Sequence, residues 1–223
     1  MSDPLYDGNG YDAAMEYVKN HLKYARIGEC TQVEINMPIW PTEVMDLPVI
    51  KNSPLMVEIS DTTYQGFYES MKSGNGIKHL EIRKSYDEDK EPFTIPTQFF
   101  QSDFFQNLST FDCLSLLPEI PNDCFLSMKA TKVMLMGTTL SDRLINKKIL
   151  QWFNNPPVSP LSYHILNRED KVYNKEVMLD SLPVERLYDT HGLCFDWIVH
   201  LRHETGVKAR IVLGKGIVIF AVK

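Results

Sequence analysis

With 223 residues, an apolar share of 43% and a charged share of 23%, the chain has an ordinary globular balance. It is long enough to bury a core without disulfide staples. The net charge of −6 and isoelectric point near 5.5 argue against nonspecific nucleic-acid binding, which needs a basic face. No apolar run reaches the length of a membrane span, and MSDPLYDGNG has neither the basic nor the apolar region of a signal peptide.

Residues 1–10 read as a flexible lead-in, followed by one domain over 11–223. Asp12 opens a helix with Ala14, Met15, Val18 and Leu22 on one face. Thr31–Asn36 is a strand. Pro38 and Pro41 bracket Ile39 and Trp40, and a helical turn follows through Val44, Met45 and Leu47. Leu55–Ile59 is the next strand. Asp61 then caps a helix with Tyr64, Phe67, Tyr68 and Met71 at helical spacing, closed by Gly74. His79–Arg83 is a third strand. Val-Glu-Ile at 33–35 and 57–59 and Leu-Glu-Ile at 80–82 recur about every 23 residues, a period in the range of leucine-rich repeats.

Ser85–Glu91 reads as a loop, and Gln98–Asn107 as one helix burying Phe99, Phe100, Phe104 and Phe105. Leu114-Ser115-Leu116 repeats the strand signature, as do Val133-Met134-Leu135 and Tyr163-His164-Ile165. The stretch Thr131–Leu166 is a strand–helix–strand crossover between parallel strands. Gly137 ends its first apolar run, and Ser141 caps a helix carrying Leu144, Ile145, Ile149, Trp152 and Phe153. Asn154-Asn155-Pro156-Pro157 stops that helix. Trp152 is in phase with the buried face and reads as a core anchor. Residues 11–170 thus form a degenerate leucine-rich-repeat-like α/β solenoid. Residues 171–223 are β-rich: strands at Cys194–Leu201, Val207–Leu213 and Ile217–Val222, with turns at Glu204-Thr205-Gly206 and Gly214-Lys215-Gly216, form an antiparallel hairpin cap that closes its open edge.

Two stretches carry a resemblance. Leu140-Ser141-Asp142-Arg143-Leu144-Ile145-Asn146-Lys147-Lys148-Ile149-Leu150-Gln151-Trp152 resembles the central strand-then-helix motif, Asn-x-x-Leu-x-x-Trp, of the nematode F-box-associated type 2 domain family. His203-Glu204-Thr205-Gly206-Val207-Lys208-Ala209-Arg210-Ile211 is similar to its second motif, Arg-x-Asp-Gly-x-Lys-Ala-x-Ile, with Thr205 in place of Asp and Arg202 one residue further from the glycine. The resemblance spans 12–223 and is densest over 131–222; the family's terminal Trp is missing. It implies a protein-recognition module, the substrate-binding part of a ubiquitin-ligase receptor or a toxin-neutralising antidote, without catalytic residues or cofactor. An F-box is not legible here. A Skp-type adaptor and a cullin are therefore implied as partners only if the full-length protein carries one, and an F-box-less decoy or regulatory binding protein is the alternative.

The residues themselves offer little catalytic chemistry, and an enzyme is not expected. His200 and His203 stand on opposite faces of a strand and lack a third metal ligand. Gly214-Lys215-Gly216 has no P-loop frame, there is no G-x-S-x-G elbow, and pairing Asp112 with Cys113 or Asp189 with His191 defines no triad. Cys30, Cys113, Cys124 and Cys194 are scattered and read as reduced thiols of a cytoplasmic or nuclear protein. No cofactor, nucleic acid or membrane is expected as a ligand.

One constellation stands out. In each apolar-x-apolar strand the middle residue faces away from the helices. These positions hold Glu34, Glu58, Glu81, Ser115, Met134 and His164. Three neighbouring glutamates would sit side by side, followed by an apolar stretch of Cys113, Leu117, Met134, Met136 and Leu166. Glu34, Glu58, Glu81, Met134, Met136 and His164 are the candidate contacts for an unknown protein partner.

Overall fold

The computed structural model describes residues 8–22, 32–36, 40–72, 76–84, 94–114, 120–155, 161–167, 171–190 and 195–222. Gly74, the loop 85–91, residues 115–117, Pro156 and Pro157, His191, Cys30 and Cys194 lie outside them. The architecture is mixed α/β, with parallel strands followed by antiparallel ones. The chain divides into two compact units, Met1–Phe93 and Thr94–Lys223.

The first unit comprises α1 (Gly8–Leu22), β1 (Val33–Ile35), a 3-10 turn (Thr42–Val44), α2 (Pro48–Lys51), β2 (Leu55–Ile59), α3 (Asp61–Lys72) and β3 (His79–Lys84). Helix α1 starts four residues before Asp12; of its expected apolar face Met15 is buried and Val18 is 37% exposed. Strands β1, β2 and β3 are parallel. Ile35, Val57 and Ile82 pair in one buried row. Ser60, not Asp61, opens α3: its carbonyl accepts from the Thr63 and Tyr64 amides, and its own amide donates to Thr63 Oγ1. Trp40 seats on α3 because Gly66 leaves room for it. A Cβ at Gly66 would come within 2.7 Å of Trp40 Cβ. One turn along, Ser70 Oγ accepts from Trp40 Nε1 at 2.9 Å, and Phe67 meets the indole edge-on at 5.1 Å.

The second unit comprises α4 (Thr97–Gln101), α5 (Asp103–Gln106), β4 (Thr110–Cys113), α6 (Asn122–Ser127), β5 (Lys132–Thr138), α7 (Asp142–Asn154), β6 (Ser162–Asn167), α8 (Lys175–Met178), β7 (Val184–Asp189), β8 (Trp197–Arg202), β9 (Lys208–Gly214) and β10 (Ile217–Val222). Its strands lie in the order β4-β5-β6-β10-β9-β8-β7. The single helix expected over Gln98–Asn107 is two. Ser102 adopts an extended conformation and its Oγ accepts from the Phe105 amide, ending one helix and capping the next. That kink brings Phe99 and Phe105 onto Phe111 and Phe100 onto Phe99 and Phe105, with ring centroids 5.0–6.4 Å apart and all four rings fully buried. A strand runs over Thr110–Cys113, where Phe111 and Cys113 alternate inward, and Leu114 follows it; the rest of the strand expected at Leu114-Ser115-Leu116 lies outside the described residues.

The crossover from β5 through α7 to β6 joins parallel strands, as the Thr131–Leu166 pattern implies. Ser141 Oγ accepts from the Leu144 amide and starts α7. Gly137, at φ +69°, does not end β5 but makes a bulge in it between Met136 and Thr138. Three residues of the Asn-x-x-Ile-x-x-Trp spacing are structural. Asn146 Nδ2 donates to the carbonyls of Met178 and Asp180 at 3.0 and 2.9 Å, Ile149 is buried, and Trp152 packs on Phe220 at 5.2 Å.

The C-terminal strands are not a separate sheet. β10 pairs antiparallel with β6, and β9, β8 and β7 follow by antiparallel pairing. They extend the sheet instead of closing its edge: the last strand, β7, has all six residues exposed.

Candidate protein-binding face

Each strand of the second unit has two faces, and their burial differs. Phe111, Val133, Tyr163, Phe220, Ile211 and Val199 form one cross-strand row and are all buried. The adjacent row on the opposite face runs Asp112–Met134–His164–Ile219–Val212–Ile198–Tyr188. A shorter row on this second face holds Met136, Leu166 and Ile217. Val212 is buried, Met136 and Tyr188 are 38% and 44% exposed, and the rest are half-buried. Strands about 4.8 Å apart make this a largely apolar strip, with Asp112 at one end and His164 within it.

The row on the other side of the strip is polar and basic: Lys132, Ser162, Ala221, Arg210, His200 and Arg186. Beyond it lies the pair Arg202–Lys208. Lys132, Arg186, Arg202, Lys208 and Arg210 are exposed. Arg202 meets Glu185 at 3.6 Å, an exposed ion pair of little strength. A hydrogen bond with Tyr188, then the charge of Glu185, holds the Arg186 guanidinium above its ordinary pKa, so it stays charged. The His200 ring meets Tyr188 edge-on at 5.5 Å, and His164 Nε2 lies 3.0 Å from Ser162 Oγ. The arrangement can cover apolar side chains while meeting acidic ones along one side.

Of the six candidate residues, Met134, Met136 and His164 come together here. Met134 and His164 are directly paired, and Leu166 joins them. Cys113 does not: it pairs with Leu135, fully buried on the other face. Glu34, Glu58 and Glu81 belong to the first unit, and there they do not form the expected acidic row. Glu34 pairs with Met56, which pairs with Glu81; Glu58 pairs with Arg83. The repeated Val-Glu-Ile of β2 is out of register by two residues because Leu55, not Val57, aligns with Val33 and Leu80. That offset relieves the like-charge contact an aligned row would carry. Glu81 is further neutralised by Arg83 Nε at 2.5 Å.

Ile217, Ile219, Ile198 and Tyr188 were not singled out from the sequence. A signal was available: Ile217–Val222 is apolar at every position, so both of its faces are apolar. His200 and His203 are separated as expected. His203 sits in the β8–β9 turn, its Nδ1 accepting from the Thr205 amide, with its ring on Phe153. Among the described residues no group of three His, Cys, Asp or Glu side chains is placed to hold a metal, and no helix is long and apolar enough to cross a membrane.

Comparison with known proteins finds no match: no family model, no curated protein and no solved structure is similar to this chain.

Proposed function

We propose that this chain is a protein-recognition module, acting in the cytoplasm or nucleus, that binds an apolar segment of another protein flanked by acidic residues. Support comes from the half-exposed strip of Met134, Met136, His164, Leu166, Ile217, Ile219 and Ile198, with Lys132, Arg186 and Arg210 along one side. Flexible Met side chains suit an adaptable contact surface, and the cations select acidic flanks. The parallel strands read as a degenerate leucine-rich-repeat-like solenoid. The likeness of 140–152 and 203–211 to the F-box-associated type 2 family supports the same role: the substrate-recognition part of an F-box-type receptor, or an antidote that captures a toxin. The Skp-type adaptor and cullin belong to this reading only where an F-box accompanies the domain.

The test is photo-crosslinking from positions 136 and 219, with the captured peptides sequenced by mass spectrometry. The expected product is an apolar peptide with Asp or Glu flanks from another protein. Its affinity should fall more than about tenfold in the Met136→Lys, Ile219→Lys double variant while Tm is held. Crosslinks solely to this chain's own residues would mean that the strip is covered internally, and the reading would fail.

A further inference from the structure

Beyond the apolar strip, the same face of β7, β8 and β9 carries a grid of cations. Arg186, His200 and Arg210 stand opposite one another across the three strands, in steps of about 4.8 Å. Arg202 and Lys208, the next pair on this face, lie about 6.6 Å further along. Arg186, Arg202, Lys208 and Arg210 are all exposed. Among the described residues of these strands, Glu185 is the one carboxylate on this face, and it meets Arg202 at 3.6 Å. Like charges directly opposite each other on neighbouring strands repel. In the first unit the register sets Glu58 beside Arg83; here it sets Arg202 against Lys208. Four cations against one carboxylate leave a surplus of three positive charges on these strands, in a chain whose net charge is −6.

We propose that this grid binds a phosphate monoester on a side chain of the partner protein, beside the segment that lies on the strip, a role that rests on the chain being a protein-recognition module. A carboxylate brings one negative charge, whereas a phosphorylated side chain brings about −1.5 to −2 and three strong acceptor oxygens. A surplus of three positive charges in two rows is better answered by the second. Arg186, Arg202 and Arg210 reach the grid from three different strands, and arginine forks grip phosphate oxygens in pairs. The grid is open to solvent, so a free phosphate has only these exposed contacts. A phosphate carried by a segment already seated on the strip is held there by the second contact. The two surfaces are contiguous: Tyr188, in the strip, shares a hydrogen bond with Arg186 and meets the His200 ring edge-on at 5.5 Å. Nucleic acid fits less well, because the chain is acidic overall and the grid spans only three strands.

The probes are three immobilised degenerate peptide libraries, identical except for a central phosphoserine, aspartate or serine. Expected is at least roughly tenfold greater retention of the full chain by phosphoserine than by aspartate, about the worth of one charge-assisted hydrogen bond, with apolar residues enriched on one side of it. Arg202→Gln combined with Arg210→Gln should abolish the phosphoserine preference at unchanged Tm. Lys208→Gln should weaken retention yet leave the free protein at least as stable at low salt, because it removes a like-charge pair. Phosphoserine preference without apolar enrichment would sink the reading of the strip and leave the grid standing. Apolar enrichment with phosphoserine and aspartate retained equally, a preference indifferent to the arginine substitutions, or tighter binding of single-stranded RNA than of any phosphopeptide would each overturn the proposal for the grid.

Discussion

The strands of the two units treat their non-helix positions in opposite ways. In the first, Glu34, Glu58, Glu81 and Arg83 interleave with one buried methionine, Met56, and the pairing places Glu58 beside Arg83. Charges there answer one another, and the register has shifted to let them. In the second, the corresponding positions are methionine, isoleucine and leucine, with cations confined to one side. A face that neutralises its own charges has little left to offer a partner. An apolar face with a one-signed border retains both contact area and charge selectivity.

The sharpest test of this contrast uses two neighbours on β5. Leu135 is fully buried and Met136 is 38% exposed. Leu135→Lys should destabilise the second unit by more than ~4 kcal/mol in urea unfolding, since it forces a charge into an apolar core. Met136→Lys should change stability by no more than about 0.5 kcal/mol. Comparable losses would show that the strip is a second core, and the contrast between the units would vanish.

Next in size is the contact that seats Trp40 in the first unit. Gly66→Ala should improve intrinsic helix propensity by about 1 kcal/mol yet destabilise overall by about 1–3 kcal/mol, because the new Cβ meets Trp40 Cβ at 2.7 Å. Thermal unfolding reads this directly, and a stabilised Ala variant would show that Trp40 yields freely.

A pH dependence is expected as well, its rising limb set by the second unit. Lys148 donates to the carbonyls of Leu126 and Met128, both at 2.8 Å, closing the end of α6. Burial lowers its pKa to about 8. Between about pH 8 and its unfolded value of 10.5 the unfolded chain binds the extra proton, so stability rises with pH across that window. Burial raises the Tyr64, Tyr163 and Tyr173 phenols above their ordinary value of 10.0, so their contribution holds below that value and is lost as pH climbs beyond it. Stability measured against pH should therefore peak near pH 10, and Lys148→Met should remove the rising limb while leaving the alkaline fall.

Much of this fold is legible residue by residue. Leu55–Ile59, the strand from His79 and Ile217–Val222 follow from apolar runs bounded by turn residues, and Ser141 followed by a 3.6-residue apolar period specifies α7. Trp152 is recognisable as core for the same reason. Short elements escape: α6 and α8 span less than two turns and leave no period to read, and the exposed β7, Val184-Glu-Arg-Leu-Tyr-Asp, has no buried face to impose alternation. The break at Ser102 is hidden because Phe residues on both sides continue an apolar pattern across it.

The candidate face divides the same way. Met134, Met136 and His164 are readable as outward positions of their own strands, because alternation along a strand is a local property. Their apolar neighbours Ile217, Ile219 and Ile198 join them only through antiparallel pairing of distant segments, and the glutamate row dissolves only through a two-residue offset between β1 and β2. Local periodicity and capping, which depend on residues a few positions apart, were thus set by the sequence itself. Register and strand order were decided by which distant side chains pack and which charges must be kept apart. These are energies between residues that only the folded chain brings together.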